Sequence, residues 1–277
     1  MIKTNLTHWS RTLLLSMLLL PFAIASHADD FESLKRIHEM RLLTFGVLGD
    51  YYMFSGLEGD TRYNREVESG VKRFEAHLGE LTADGNPAAK MASLTKVISS
   101  WQAFRKLLDT NRADFLVRGY ADARLVSDLG KTGVALGDQL DLAYDEFKGT
   151  ANIPVTEYTP HTREMGLIIQ KVTAQYAAHT TSNLGQVALI ELTKDGMGAQ
   201  SERFTALLEQ LQKVPAQEKR ILKMLDQVAV KWEFIAKSLK NSNENAVPFI
   251  VSTYGDRIAQ NLETIGDHYA TMATAAK

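Results

Sequence analysis

Apolar residues recur along this chain at helical spacing. In residues 221–239 they fall at Ile221, Leu225, Val228, Trp232, Ile235 and Leu239, steps of 4, 3, 4, 3 and 4 that draw one stripe down one helix face. Lys223, Gln227, Lys231 and Lys237 take the other faces. Residues 91–108 carry a similar stripe at Met91, Leu94, Ile98, Trp101 and Leu108. Read as a partner-free face, either stripe is a core face or an exposed docking surface; the pattern around them favours the core.

The same period predicts eight helices. The first covers residues 31–54, with Leu34, Ile37, Arg41, Leu48, Tyr51 and Tyr52 on a broad face widened by Phe45 and Met53. Gly46 and Gly49 weaken that helix by about 1 kcal/mol each relative to Ala, or else permit a close helix–helix approach. Asp60 or Thr61 caps the second helix, whose stripe is Val67, Val71, Phe74, Leu78 and Leu81. Asp84-Gly85-Asn86-Pro87 is a stop followed by a restart. The third helix is the first Trp stripe. A polar turn is predicted at 109–114, then a fourth helix over 115–147. Residues 148–160, with Gly149, Pro154 and Pro160, have no helical period and mark a boundary. A fifth helix, capped by Thr159, runs to about Asn183, and a sixth shows Met197, Phe204, Leu207, Leu208 and Leu211. The seventh starts near Val214-Pro215, and the eighth follows a polar turn at 241–245 and starts near Pro248.

The two halves can be laid on each other. Glu39-Met40 matches Glu164-Met165 and Tyr51 matches Tyr176 at an offset of 125; Phe74 and Leu78 match Phe204 and Leu208 at 130. Trp101 matches Trp232 at 131, and Arg124, Leu129 and Gly133 match Arg257, Leu262 and Gly266 at 133. The offset steps at predicted turns. The expected fold is all-α, two tandem antiparallel four-helix bundles over residues 30–149 and 158–277.

Residues 1–28 read as a secretory signal peptide. Lys3 and Arg11 precede an apolar run over 13–25, and Ser26-His27-Ala28 is a small-x-small cleavage pattern. The run is shorter than the roughly 20 residues a membrane span needs. The chain has no cysteine, so it has no disulfide, no lipoprotein anchor and no covalent haem attachment. The expected compartment is a periplasm, with no stable membrane span in the mature chain. Removing Lys3 and Arg11 from 31 basic residues leaves 29 against 33 acidic ones, a net charge of −4 that argues against a nucleic-acid partner.

No catalytic constellation stands out, and the expectation is a protein without enzyme activity or resident cofactor. His38, His77, His161, His179 and His268 form no HExxH and no Glu-x-x-His set, and no metal site is expected. Two constellations remain. Met165 near the start of the fifth helix and His268 near the end of the eighth fall at adjacent ends of an antiparallel bundle, the layout of an axial pair for haem b; the plainer reading is a core Met and a boundary His. Arg41 lies close to an apolar face, and Arg124 and Arg257 hold equivalent places on the last helix of each half. A partly buried Arg needs an anion, either a ligand or a carboxylate such as Asp122 or Asp256.

Residues 74–81, FEAHLGEL, and 204–211, FTALLEQL, resemble the second helix of the periplasmic N-terminal domain of type IV pilus methyl-accepting chemotaxis transducers. Nitrate and nitrite sensor kinases carry a similar four-helix domain. The resemblance implies a sensory or binding protein that acts through a small ligand or a membrane receptor, pilus or chemotaxis component. Met40-Arg41-Leu42 echoes the family's first-helix Arg segment, whereas Glu164-Met165-Gly166 lacks the Arg, so any implied anion contact stops at Arg41.

Overall fold

The computed structural model describes residues 20–151, 153, 156–181, 196–215, 217–241 and 245–275, with side chains described over 29–272 of these. Most of the sequence read as a leader, the predicted end of the fifth helix at Asn183, and Pro154 lie outside the described residues. The fold is all-α, with no strand among the described residues. In chain order the helices are α1 (Leu20–Gly56), α2 (Thr61–Thr82), α3 (Ala92–Arg118), α4 (Ala123–Thr150), α5 (Tyr158–Thr181), α6 (Met197–Gln212), α7 (Lys219–Lys240) and α8 (Pro248–Ala275), with a single 3-10 turn at Pro87–Lys90. Among the described residues, no helix is long and apolar enough to cross a membrane.

Local chemistry sets the boundaries. The Asp60 carboxylate accepts from the backbone N–H of Arg62 at 2.8 Å, and Asn86 Oδ1 accepts from that of Ala88 at 2.8 Å. The polar stretch 109–114 is not a turn. It is the last part of α3, because Asn111 is buried and its amide donates to the Leu107 and Leu125 carbonyls at 2.9 and 3.0 Å. The helix ends instead at Gly119, whose φ of 77° is left-handed, and Asp122 caps α4 by accepting from the Arg124 and Leu125 N–H groups. A polar run reads as a turn in sequence, but a buried amide that donates to two carbonyls holds it helical. α1 reaches back to Leu20, into the stretch read as the leader.

Two hydrophobic cores form, one enclosed by α1–α4 and one by α5–α8. Each is built round a Phe–Trp pair at matching positions. Phe74 stacks on Trp101 with ring centres 3.8 Å apart, and Phe204 lies 4.0 Å from Trp232, whose indole N–H donates to Thr205 Oγ1 at 3.0 Å. All six stripe residues of α7 are buried, so its face is core and not docking surface. In α3 the buried set is Leu94, Val97, Trp101, Phe104 and Leu108; Val97 takes the place expected for Ile98.

The halves meet along α1 and α5. Each of these helices buries one face in its own core and another against its counterpart, which is why α5 is buried nearly all round. Leu42 lies beside Gly166, Gly46 beside Gln170, Gly49 beside Ala174 and Gly56 beside Thr181. The numbers rise together, so the two helices run parallel. A Cβ at Gly49 would stand 3.2 Å from the Ala174 Cα, so this glycine is what lets the backbones approach. Phe45, Leu167 and Ala174 make a small third core there, and Thr181 Oγ1 donates across the seam to the Tyr52 carbonyl at 3.0 Å.

Candidate functional site

Beside that seam, α2 and α8 stand apart and leave a cleft of about 420 Å³, floored by α1 and closed behind by Gln170 of α5. Its charged lining is unusual. Asp50, Glu66 and Asp256 face it with Arg62, Arg73 and Arg257, and none of these six forms an ion pair within 4 Å. Asp50 stands at depth on the α1 floor, with part of its surface open to the cavity and no hydrogen-bond partner. Its carboxyl is pushed well above the usual range by burial, then by Asp256 and Glu66, against the pull of Arg62. Asp256 is open to the cleft, and its carboxyl is raised to about 6 by the surrounding protein and by Glu66. Thr253 Oγ1, buried in the α8 wall, also lacks a partner. The Arg62 guanidinium rests over the Tyr63 and Phe249 rings at 5.2 and 4.9 Å.

One end of the cleft is latched. His77 Nε2 of α2 meets the Glu39 carboxylate of α1 at 2.9 Å, and Glu39 shares a hydrogen bond with Glu263 of α8. Burial opposes charge on both carboxyls. The hydrogen bonds from His77 and Glu263 hold Glu39 down at about 2, while burial and the Glu39 charge push Glu263 up to about 7. The pair therefore carries one proton between them near neutrality. Lys35 Nζ adds a 2.6 Å bridge to Asp267.

The repeat gives a control for this site. At the offsets found in the sequence, Asp50 corresponds to Gln175, Glu66 to Gly196, Asp256 to Ala123 and Glu263 to Gly130. Arg73 corresponds to Arg203, and there the charge is satisfied: Arg203 grips Glu164, the counterpart of Glu39, at 2.6 and 2.8 Å. The acids of the cleft are thus not repeated at the matching positions of the other half.

Of the three arginines read from sequence, only Arg257 lines the cleft. Arg41 is satisfied by Asp141 at 2.6 Å and by the Tyr144 ring at 4.6 Å. Arg124, at the start of α4, is 89% exposed and lies 3.9 Å from Asp128. The structure does not bring the three together, because α4 and α8 occupy different sides of the α1–α5 pair. Nor is Asp122 or Asp256 their partner: Asp122 is spent on the α4 cap, and Asp256 stays open. Met165 is fully buried in the second core, whereas His268 lies on the rim 4.0 Å from Glu218 and against Tyr269. Neither lines the cleft. Among the described residues, no group of three or more His, Asp or Glu side chains could hold a metal ion.

A second charged cluster joins the halves across α1, α4 and α5. Arg163 is 8% exposed, donates to the Tyr144 hydroxyl at 2.9 Å, and lies over the Phe31 and Tyr144 rings at 5.8 Å, with no carboxylate beside it. Buried His38 packs edge-on to Tyr144, and burial, Arg163 and Arg41 hold its imidazole well below the usual range, so it is neutral.

Asp50 was the residue to find in the sequence, since it interrupts the apolar run 47–54. Asp256, Glu66 and Arg73 carry no such mark and become a group only when α2 and α8 face each other. The fold and cleft define an all-α protein with an open charged cavity at the junction of two cores. Compared with known proteins, the chain matches no family model, no curated relative and no solved structure.

Proposed function

We propose that this chain is a non-enzymatic binding protein of the periplasm that takes a small polar ligand in the cleft between α2 and α8 and acts as a sensor through a partner protein. The observation that supports it most is the set of six cleft charges without ion pairs among the described residues, around a cavity in the size range of small-molecule sites. Leaving a carboxyl such as Asp50 buried and unpartnered is costly for the fold, and a ligand that satisfies it recovers that cost. The walls of the cleft belong to different cores, so an occupant tightens or loosens one half against the other. That gives a partner something to read. The resemblance to chemotaxis-transducer domains points the same way: a membrane receptor, pilus or chemotaxis component is the partner class.

The test is thermal shift across a panel of small amines, acids and amino acids with the mature protein and with Asp50→Asn. A rise in melting temperature with some member of the panel, lost in the variant, is the expected result. Flat curves for both proteins, together with recovery of the protein alone from cross-linked periplasm, would remove the reading.

A further inference from the structure

We infer that the occupant of the cleft is a small zwitterion, a molecule with an ammonium group at one end and a carboxylate at the other, such as an ω-amino acid or a short peptide. This rests on the reading of the cleft as a ligand site. The argument is from which charges stand where. Val47 of α1 lies against Gly70 of α2, and Thr173 of α5, beside the level of Gly49, lies against Gly255 of α8. That register puts Asp50, Glu66 and Asp256 at one level of the cleft. Arg73 stands two turns along α2 from Glu66, roughly 10 Å at 1.5 Å per residue. Arg257 follows Asp256 in α8 and so stands near the acid level on the facing wall, which leaves Arg73 as the cation at the far end.

A simple anion drawn to Arg73 would leave the three acids Asp50, Glu66 and Asp256 outnumbering Arg62 and Arg257 at their level. A simple cation drawn to the three acids would leave Arg73 open. A zwitterion answers both ends at once. Its ammonium meets the acid level, where Thr253 Oγ1 supplies a free acceptor, and its carboxylate takes the guanidinium donors. Arg62 sits on its aromatic wall at the acid end and limits the negative field there, which selects one ammonium over a dication. Ammonium binding also brings Asp50 and Asp256 back towards their charged forms, so the site gives up protons as it fills.

The test uses an isosteric series on the mature protein by isothermal titration calorimetry: γ-aminobutyrate, which has both ends; butylamine, which has only the ammonium; and butyrate, which has only the carboxylate. Glycylglycine serves as a second zwitterion. The expected result is at least tenfold tighter binding of a zwitterion than of either half. Arg73→Gln should weaken it tenfold or more at unchanged melting temperature of the free protein, and Asp50→Asn should weaken it as much without lowering that melting temperature. Proton release on binding, read from buffers of different ionisation enthalpy, should fall in Asp50→Asn to what Asp256 alone supplies. If butylamine or butyrate binds as well as γ-aminobutyrate, the zwitterion inference falls and the ligand site stands. If neither zwitterion binds while another member of the thermal-shift panel does, the inference falls in the same way. If nothing binds in either experiment, the site falls with it.

Discussion

Gly49 of α1 packs against Ala174 of α5, and the two positions stand 125 apart in the chain, the same offset that relates Tyr51 to Tyr176. Each residue on this seam therefore meets its own repeat counterpart, or a position next to it. That is the contact pattern of a self-complementary two-fold interface, here made within one chain. The cleft lies to one side of it, between α2 and α8.

The seam sets a first prediction. A Cβ on Gly56 would stand 2.2 Å from Thr181 Cβ and 2.5 Å from its carbonyl oxygen, a backbone atom that cannot turn away. Gly56→Ala should destabilise the protein by about 1–3 kcal/mol in urea unfolding. Gly79→Ala, in the last turn of α2 with nothing within 4 Å, should gain up to about 1 kcal/mol. Equal effects from the two would mean α1 and α5 do not pack this closely.

The carboxyl latch sets a second. Glu263 binds its proton more tightly folded than unfolded, about 7 against an ordinary 4.5, so it favours the fold at low pH and that advantage is lost as pH rises from 4.5 through 7. Glu39 has the opposite sign: its stabilisation is present above 4.5 and lost as pH falls towards 2. Glu263→Gln keeps a donor towards Glu39 and removes the titration. Its melting temperature relative to the natural protein should be several degrees more favourable at pH 8 than at pH 5. The same difference at both pH values would count against the shared proton.

Arg163 and Tyr144 set a third. Tyr144→Phe keeps the ring under the guanidinium but removes the one side-chain hydrogen bond Arg163 makes among the described residues. The loss should be about 1–3 kcal/mol, since a buried cation is left without an acceptor. Arg163→Met removes the charge itself and should cost less than Tyr144→Phe, because replacing a buried ion by an apolar group of similar size is often neutral. Urea unfolding of both variants checks the order, and the reverse order would place a carboxylate or solvent at Arg163.

The haem layout read from Met165 and His268 gives a fourth. Met165→Ala should lose about 2–5 kcal/mol as a core truncation. His268→Ala, on the rim opposite Glu218, should change stability by less than about 1 kcal/mol. Neither variant should alter the absorption spectrum of protein mixed with haemin. A Soret band lost equally in both would restore the axial pair.

What the chain determined alone follows from period and punctuation. The 4, 3, 4, 3 stripes, the Asp60 and Asn86 caps and the glycine and proline stops were enough for eight helices, because an amphipathic helix declares its buried face locally. The close approach at Gly49 was one of two readings open to a mid-helix glycine. The α3–α4 turn was misread at 109–114, since one of the two carbonyls that take the Asn111 amide belongs to another helix.

The site belongs to the tertiary structure. Arg41, Arg124 and Arg257 look alike along the chain, but whether an arginine is open depends on what stands opposite it, and only the packing puts Asp141 beside Arg41 and leaves Arg257 facing a cavity. Asp50, Glu66, Asp256 and Arg73 come from three helices far apart in sequence. Periodicity says which face of a helix is polar, and it is silent on which polar faces are set against each other. That was decided by α1 and α5 lying side by side, which brought α2 of one half opposite α8 of the other.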